Sequence, residues 1–379
     1  MRAHTVITLA FSAAVMLASG TAGAQGAADE ALEIYIIDVE GGGGALFVTP
    51  NGESLLVDTG NGGDNAVRDS GRIMAAIRDA GLERLDHLII THYHGDHIGG
   101  LAALAAQIPI AHYIDHGENI QQQGSGAQAY EHYLAELVPQ ARRTIARPGD
   151  TIDMTGLNIW VAASAGDIID TPLPGAGQAN PYCEGYSPIA PDTSENGQSV
   201  GIRMDYGEFT IAHLGDLTWN GELELACPTN KFGTADIYLA NHHAQRRPAA
   251  MSNAEPLVYG LQSRVAISTN GIRKGAQVEA MKVLFSAPGL EDVWQLHFSQ
   301  FSGQEYTVPG AFIANRFEGE MNVPIAPTEY QSPEPSAPPI PPHEGPANWL
   351  KIDAWRDGTF TITNTRNGFA KTYHARVAD

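Results

Sequence analysis

The sequence predicts an α/β fold built from two similar halves. Three apolar runs, at 34–39, 45–49 and 54–60, are separated by turns rich in Gly, Pro and Asn and predict strands. Helical and strand periodicity then alternate, and this alternation starts again after residue 199. Alternating strands and helices are typical of sheets covered by helices.

The first 24 residues have the pattern of a bacterial Sec-type signal peptide. Arg2 precedes an apolar run at 6–18, which is too short to span a bilayer, and the small residues at 22–24 match a cleavage site. We therefore predict cleavage after Ala24 and a secreted or periplasmic protein, with an uncleaved anchor as the alternative. No later segment is long and apolar enough to cross a membrane.

Four potential metal ligands lie together where a predicted strand at 85–90 ends and a helix is expected to begin. They are His92, His94, Asp96 and His97. His92 and His94, two apart on an extended segment, can face one cation. Asp96 and His97 follow the bend at Gly95 and can face a second. Imidazole and carboxylate ligands suit zinc, and also manganese or iron.

The pattern His-x-His-x-Asp-His at 92–97 resembles the signature of the metallo-β-lactamase-fold hydrolases. Residues 34–60 are also similar to the start of that fold, which has three strands joined by a Gly-rich turn and a second turn and ending in Asp-Thr-Gly. Within that fold the resemblance is closest to the ComEC/Rec2-like branch. This resemblance extends over about residues 33–300. It implies a four-layer αββα fold, two divalent metal ions, most readily zinc, and hydrolysis by a metal-activated water.

The resemblance also implies ligands from the second half of the chain. Asp216 follows a predicted strand and is expected to bridge both metals, and Asp216 and Asp96 are expected to orient water and relay protons in catalysis. His242 and His243 follow a later strand, where related sequences have His-His-Gly. We expect His242 to be the ligand beside Asp96 and His97, with His243 in that role as the alternative.

Residues 194–200 lack the histidine that many relatives supply to the first metal. They contain Ser and Asn instead, as in ComEC-like sequences. Neutral oxygen donors bind zinc less tightly than imidazole, so the ion at His92 and His94 is expected to bind more weakly than the other. His213 is expected to face the core, and His112 and His116 are poorly placed to bind that ion.

Other polar residues are expected to support the metal site. Asp58, at a strand end, is expected to hydrogen-bond a ligand, or else to cap its turn. Three residues after a predicted strand at 265–268 are expected to bind a substrate phosphate or carboxylate, or else to form a solvated turn; they are Asn270, Arg273 and Lys274. His297 could lie in the pocket or in the core.

Two cysteines, Cys183 and Cys227, are the only ones in the chain. In an oxidising compartment we expect them to form a disulfide, and two buried thiols are the alternative. Cys183 lies in a long irregular stretch at 166–198 that alternates proline with glycine and polar residues. Long loops of this kind are often lids, so we expect it to cover the metal site.

The sequence divides into four parts. Residues 1–24 form the signal peptide, and 29–323 form the metallo-β-lactamase-like domain. Residues 324–346 are a Pro-rich linker. Residues 347–379 contain a β-hairpin that is too small to fold alone and is expected to pack on the main domain.

The acidic composition constrains the substrate. The formal net charge of the chain is −21, and a surface of this charge repels a polyanion such as DNA. We therefore expect a small-molecule substrate and no nucleic-acid partner; the sequence does not indicate an oligomeric state. A phosphoester or phosphodiester is the leading substrate class. The alternatives are a lactone or β-lactam, or a non-catalytic metal-binding exported protein.

Overall fold

The computed structural model describes residues 31–247, 250–316 and 343–376. The predicted signal peptide at 1–24 and most of the predicted linker at 324–346 lie outside the described residues. Within these ranges, no helix is both long enough and apolar enough to cross a membrane.

Most of the strands belong to two mixed sheets. The strands before residue 180 are β1 (Leu32–Ile36), β2 (Ala45–Val48), β3 (Ser54–Val57), β4 (His87–Ile89), β5 (His112–Asp115), β6 (Arg142–Ile145), β7 (Thr151–Met154), β8 (Leu157–Ser164), β9 (Asp167–Ile168) and β10 (Gln178–Ala179). The later strands are β11 (Gly201–Tyr206), β12 (Phe209–His213), β13 (Thr229–Asn230), β14 (Ile237–Leu239), β15 (Arg246–Arg247), β16 (Ala250–Met251), β17 (Val265–Ser268), β18 (Asp292–His297), β19 (Ile313–Asn315), β20 (Leu350–Ala354), β21 (Phe360–Asn364) and β22 (Ala370–Tyr373).

The first sheet has the order β22-β21-β20-β1-β2-β3-β4-β5-β6. The second has the order β19-β18-β17-β14-β12-β11-β8-β7, with β9 paired to β8. The α-helices are α1 (Ala66–Asp79), α2 (Leu101–Ala105), α3 (Ser125–His132), α4 (Trp219–Ala226), α5 (Glu255–Gly260) and α6 (Val278–Phe285). A π-helical turn, Tyr133–Leu137, follows α3.

Three large apolar clusters show how these elements are layered. One cluster joins side chains of both sheets, such as Ile34 and Ile202, and fills the space between them. A second joins the outer face of the first sheet to α1 and α2, and a third joins the outer face of the second sheet to α4, α5 and α6. The order helix, sheet, sheet, helix confirms the predicted four-layer α/β architecture.

Strand β1 shows why its sequence is apolar at nearly every position. Leu32, Ile34 and Ile36 point into the core between the sheets, whereas Tyr35 packs in the cluster that contains α1. Successive side chains of a strand face opposite sides, so a strand covered on both faces is continuously apolar.

The C-terminal strands extend the first sheet. β20 pairs with β1 in antiparallel register, with Ile352 opposite Ile34, and β21 and β22 follow it. Leu350, Ile352 and Ala354 are buried in the core between the sheets. The predicted hairpin is thus β20 and β21, and the sequence reading missed β22.

Most of the long stretch at 166–198 lies away from the predicted metal site. β10 pairs with β13, and Tyr186 packs against Trp219 of α4. Of its residues, only Asn196 reaches the cleft described below. The expected lid is therefore wrong for most of this stretch, because its contacts hold it against the outer helix layer.

Cys183 and Cys227 form a disulfide in this structure and tie that stretch to the end of α4. They are 44 residues apart in sequence, and closing a loop of this length stabilises the folded state by about 3 to 4 kcal/mol in chain-entropy models. We expect reduction to lower the free energy of unfolding by that amount, measured by urea titration of oxidised and reduced protein. Thiol labelling of the denatured, unreduced protein is the control, and two free thiols would contradict the pairing.

Candidate metal centre

The candidate site forms where several strands end at the same edges of the two sheets. β12, β14 and β17 are parallel neighbours, so the segments that leave their carboxyl ends meet. These segments carry Asp216, the His242–His243 pair and Lys274. β3 and β4 are also parallel, and they lead to Asp58 and to the loop at 91–97. The first and second halves of the chain therefore contribute opposite sides of one site.

A tight group of potential ligand atoms comes from Asp96, His97, Asp216 and His243, and these atoms all lie within 4.8 Å of one another. His97 Nε2 is 3.3 Å from one oxygen of Asp96 and 3.3 Å from Asp216 Oδ2. His243 Nε2 is 3.4 Å from the same Asp96 oxygen and 3.5 Å from Asp216 Oδ1. We call these four residues the second site.

His92 and His242 also approach Asp216, and His94 lies against His92. His92 Nε2 is 3.0 Å from His94 Nδ1 and 3.8 Å from Asp216 Oδ2. His242 Nε2 is 3.6 Å from that same oxygen. We call these three histidines, with the shared Asp216, the first site. From the sequence we expected His242 beside Asp96 and His97, with His243 as the alternative, and a first site short of one ligand. The geometry favours the alternative, because His243 groups with Asp96 and His97.

The hydrogen bonds of two imidazoles direct their other ring nitrogens into the second site. His97 Nδ1 lies 2.7 Å from Asp58 Oδ2, and His243 Nδ1 lies 3.0 Å from the Thr269 hydroxyl. Donation from Nδ1 to these oxygens leaves each Nε2 as the basic nitrogen. Both Nε2 atoms are buried without a hydrogen-bond partner. Buried polar atoms rarely lack a partner, so these two nitrogens and the nearby carboxylates fit a bound divalent cation.

An unusual turn presents both histidines of the pair to Asp216. His242, His243 and Ala244 all have left-handed backbone conformations, with φ of 51°, 56° and 60°. Adjacent residues on a strand would point to opposite sides, whereas here both imidazoles reach the same carboxylate. Ala244 has φ of 60°, a conformation that glycine adopts more readily than alanine. Related sequences have glycine at this position.

Buried hydrogen bonds hold this strained turn. The Asn253 side chain donates to the carbonyls of Asn241 and Gln245. The Glu222 carboxylate accepts from the Asn241 side chain at 2.7 Å and from the Asn253 N–H at 2.8 Å. Each left-handed non-glycine residue costs on the order of 1–3 kcal/mol, so such a turn persists only where its surroundings fix it. No pattern in the sequence marks Glu222 or Asn253 for this role.

The run of glycines after β1 permits close packing against the site. A Cβ at Gly43 would lie 2.4 Å from an Asp58 oxygen, and one at Gly42 would lie 2.3 Å from the Asp96 carbonyl. The Gly43 N–H donates to that same carbonyl at 3.1 Å. Glycine is therefore required at position 42 by the Asp96 backbone and at position 43 by the Asp58 side chain.

Residues 194–200, which lack the expected histidine, support the site through hydrogen bonds to the segments that carry the candidate ligands. The Ser199 hydroxyl accepts from the Asp216 N–H at 3.1 Å. Glu195 is buried, and its carboxylate accepts from the Tyr93 N–H, between His92 and His94, while lying 2.9 Å from His116 Nε2. These residues orient the segments that carry candidate ligands, and sequence reasoning missed Glu195.

Burial and charge set the protonation of the cluster. Burial, assisted by the nearby His97, holds the pKa of His92 well below its usual value, and burial lowers the pKa of His242 to about 4. Burial opposes ionisation of Asp216, but His97 and His243 hold its pKa well below the usual range. Burial would lower the pKa of His97, but Asp216 and Asp96 raise it well above its usual value. Neutral His92 and His242 beside an ionised Asp216 therefore suit metal binding, whereas an ion at the second site would have to displace a proton from His97.

The candidate site opens into a cleft of about 640 Å³. Basic side chains in its lining are Arg68, Arg247, Arg273 and Lys274. Arg273 and Lys274 therefore lie where a substrate could reach them, and their contact with substrate stays a prediction; Arg68 and Arg247 were not foreseen. Asn270 is fully buried and donates to the His297 carbonyl, so the expectation that it contacts substrate is wrong.

The remaining histidines lie outside the candidate ligand set. His213 is buried in β12, as expected. His112 hydrogen-bonds with His87 and the Thr144 hydroxyl, away from the site. His297 is in the core rather than the pocket, and its Nε2 lies 2.8 Å from Asp38.

A second charged cluster borders the cleft, and we call it the rim network. It consists of Asp38, Glu40, Arg72, His297 and His343. Arg72 Nη1 lies 3.1 Å from both carboxylates, and Nη2 donates to the carbonyls of His343 and Gly345. The Arg72 guanidinium neutralises the charge of both carboxylates, so it takes the place that a metal ion would have in this cluster. The network fastens the segment before β20 to the cleft, which His343 and Glu344 help to line.

The rim network predicts how stability depends on pH. Burial would lower the pKa of His297, but the nearby carboxylates of Asp38 and Glu40 raise it to about 10. Burial would raise the pKa of Glu40, but hydrogen bonds from His297 and His343 lower it to about 2. Stability from Glu40 is present above its unfolded pKa near 4 and is lost towards pH 2. Stability from His297 is present below its unfolded pKa near 6.5 and is lost towards pH 10.

We therefore expect the stability advantage of the wild type over His297→Gln to be largest between about pH 4.5 and 6.5 and to decline at higher pH. Urea titrations from pH 4.5 to 9 measure it. The substitution His132→Gln on exposed α3 is the control and should show no such trend. A difference that stays constant between pH 6.5 and 9 would contradict the role of His297 in the network.

Comparison with known proteins gives a partial match. The family model described as "Metallo-beta-lactamase superfamily" matches residues 39–174. The chain is 43% identical over 60 residues to Ribonuclease Z of Lachnoclostridium phytofermentans, covering 16% of this chain and 17% of that protein. It is 26% identical over 108 residues to hydroxyacylglutathione hydrolase of Rhodopseudomonas palustris, covering 28% of this chain and 42% of the relative. The chain thus spans less than half the length of these curated relatives.

Among solved structures, the metallo-β-lactamase fold protein YhfI from Bacillus subtilis is similar at 14% identity. The match covers 70% of this chain and 96% of that chain, with a TM-score of 0.44.

Proposed function

We propose that the chain, which matches the metallo-β-lactamase superfamily model over residues 39–174, is a metal-dependent hydrolase whose substrate is a phosphoester or phosphodiester of a small molecule. The observation that carries the proposal is the second site, where two buried imidazole nitrogens without partners and two carboxylates converge at the base of an open cleft. Two divalent ions, most readily zinc with manganese or iron as alternatives, would polarise the scissile group and activate water there.

The residues of this chain have separate roles in that proposal. His92, His94 and His242 would hold one ion, and Asp96, His97 and His243 the other, with Asp216 between them. Asp216 and Asp96 would also orient the attacking water and accept its proton. Asp58 fixes the orientation of His97 from behind the site.

The charge of the cleft supports an anionic substrate. Three arginines and a lysine line it together with four carboxylates, two of which, Asp96 and Asp216, would bind the proposed cations. With those cations bound, the basic side chains would attract a small anion, whereas the surface of a chain with a formal net charge of −21 repels a nucleic acid. Guanidinium groups also match the geometry of phosphate oxygens.

We also propose a place within the superfamily and in the cell. The absence of histidine from 194–200 and the presence there of Asn196 in the cleft and Ser199 against Asp216 support the ComEC/Rec2-like branch. The signal-like sequence at 1–24 supports export to the periplasm or medium.

Metal analysis and a substrate panel test the function. We expect about two ions per chain and hydrolysis of bis-p-nitrophenyl phosphate that stops on chelation and returns with added zinc or manganese. Hydrolysis of a chromogenic lactone or β-lactam, but of no phosphoester, would replace the proposed substrate class. Bound metal without turnover of any of them would instead indicate a non-catalytic metal-binding protein.

A further inference from the structure

A lysine side chain reaches into the second site from the cleft. The Lys274 ammonium pairs with Asp96 Oδ2, and its side chain is 32% exposed. The same oxygen lies 3.3 Å from His97 Nε2 and 3.4 Å from His243 Nε2. A positive charge of the protein therefore contacts a carboxylate oxygen that belongs to the candidate ligand set.

The backbone fixes where this lysine begins. The Gly271 N–H donates to the Lys274 carbonyl at 2.9 Å and closes a tight turn. This turn packs on the Gly-rich turn after β1, because a Cβ at Gly41 would lie 2.8 Å from the Gly271 nitrogen and 3.0 Å from Lys274 Cβ. Lys274 thus starts from a constrained position beside Asp96, and its partly exposed side chain lines the cleft, where it has room to move.

We propose that Lys274 competes with the metal ion of the second site for Asp96. The inference rests on the proposed metal centre. An ammonium at Asp96 neutralises a carboxylate that a dication would use, and it repels a dication placed beside it. The second ion binds only as the ammonium withdraws from Asp96 into the cleft, and this requirement lowers its affinity.

The first site carries no such competitor among the described residues. The histidine that the sequence seemed to lack is supplied by His242, whose Nε2 shares Asp216 Oδ2 with His92. Three imidazoles with a shared carboxylate are a strong set for zinc. The order of affinity expected from the sequence is therefore reversed: the ion at His92, His94 and His242 binds more tightly, and the ion beside Lys274 binds more weakly.

Calorimetric titration of the metal-free protein with zinc, with bound metal counted after dialysis, tests this order. We expect two classes of ion in the wild type, and we expect Lys274→Met to tighten the weaker one by at least about tenfold without changing the number bound. Lys274→Arg keeps the charge and should keep the weak site. Lys282→Met removes an exposed lysine of α6 that pairs with Glu279 and lies over the Tyr306 ring, outside the cleft lining, and it is the matched control.

Ligand substitutions identify which ion is which. His243→Ala should remove the weaker ion from the wild type, and His94→Ala should remove the tighter one. Unchanged or reduced affinity for the second ion in a folded Lys274→Met protein would overturn the inference and leave the proposed function standing. Failure of both wild type and variant to bind any ion would overturn the inference and the proposed function together.

Discussion

His94→Ala should lower hydrolysis of a phosphodiester substrate by more than about 100-fold and reduce bound metal from two ions to one. Loss of a residue that merely supports a metal ligand costs about 10- to 100-fold, so loss of a candidate ligand should cost more. His94 is only partly buried and lines the cleft, so its removal leaves no cavity in the apolar core. Hydrolysis rates, metal analysis and circular dichroism on one preparation measure the three quantities.

A second histidine serves as the control for that substitution. His132, at the end of α3, is exposed and lies outside the cleft lining, so His132→Ala should keep activity and metal content. Full activity with two bound ions in His94→Ala would show that the first site is wrongly assigned. Loss of activity with both ions retained would move His94 from metal binding to contact with the substrate.

Arg72→Met should destabilise the protein by about 3 to 5 kcal/mol, the usual effect of removing one partner from a buried ion pair. The Arg72 side chain is 3% exposed and Asp38 is fully buried, so solvent compensates neither carboxylate of the rim network well. The substitution also removes the donors to the carbonyls of His343 and Gly345. Urea titration at pH 6 measures the free energy of unfolding.

An exposed arginine provides the comparison. Arg84 pairs with Asp86 at 2.9 Å but its side chain is 71% exposed, and pairs of this kind contribute roughly 0 to 1 kcal/mol. Arg84→Met should therefore change stability little. If the two substitutions have equal effects, the buried network does not fasten the C-terminal segment as we infer.

The layers of the fold and most of the site follow from local sequence patterns. Runs such as 54–57 and 265–268 are short, apolar and bounded by turn residues, so they indicate strands without knowledge of the rest of the chain. The signal at 92–97 is equally local, because four potential ligands lie within six residues and one turn can orient them towards two cations. The confirmed α/β architecture depended on such signals.

What could not be predicted depends on backbone geometry and on residues distant in sequence. His242 and His243 reach different sides of Asp216 only because three successive residues adopt left-handed conformations, and no sequence rule assigns that to Ala244. Asn270 looked available after its strand, but its amide is used to hold the His297 carbonyl. The contact between Lys274 and Asp96 joins residues 178 positions apart, so the sequence alone could not reveal the competition.

The pairing of β1 with β20 has a consequence for how the chain reaches this structure. Glu33 and Lys351, on these adjacent strands, are 318 residues apart, and contacts of such separation form late because the loop between them must close first. Until then one edge of β1, with its apolar side chains, stays unpaired. An open apolar edge is a template for pairing with other chains, so the folding intermediate most prone to aggregation should be the one in which the C-terminal strands have not yet docked.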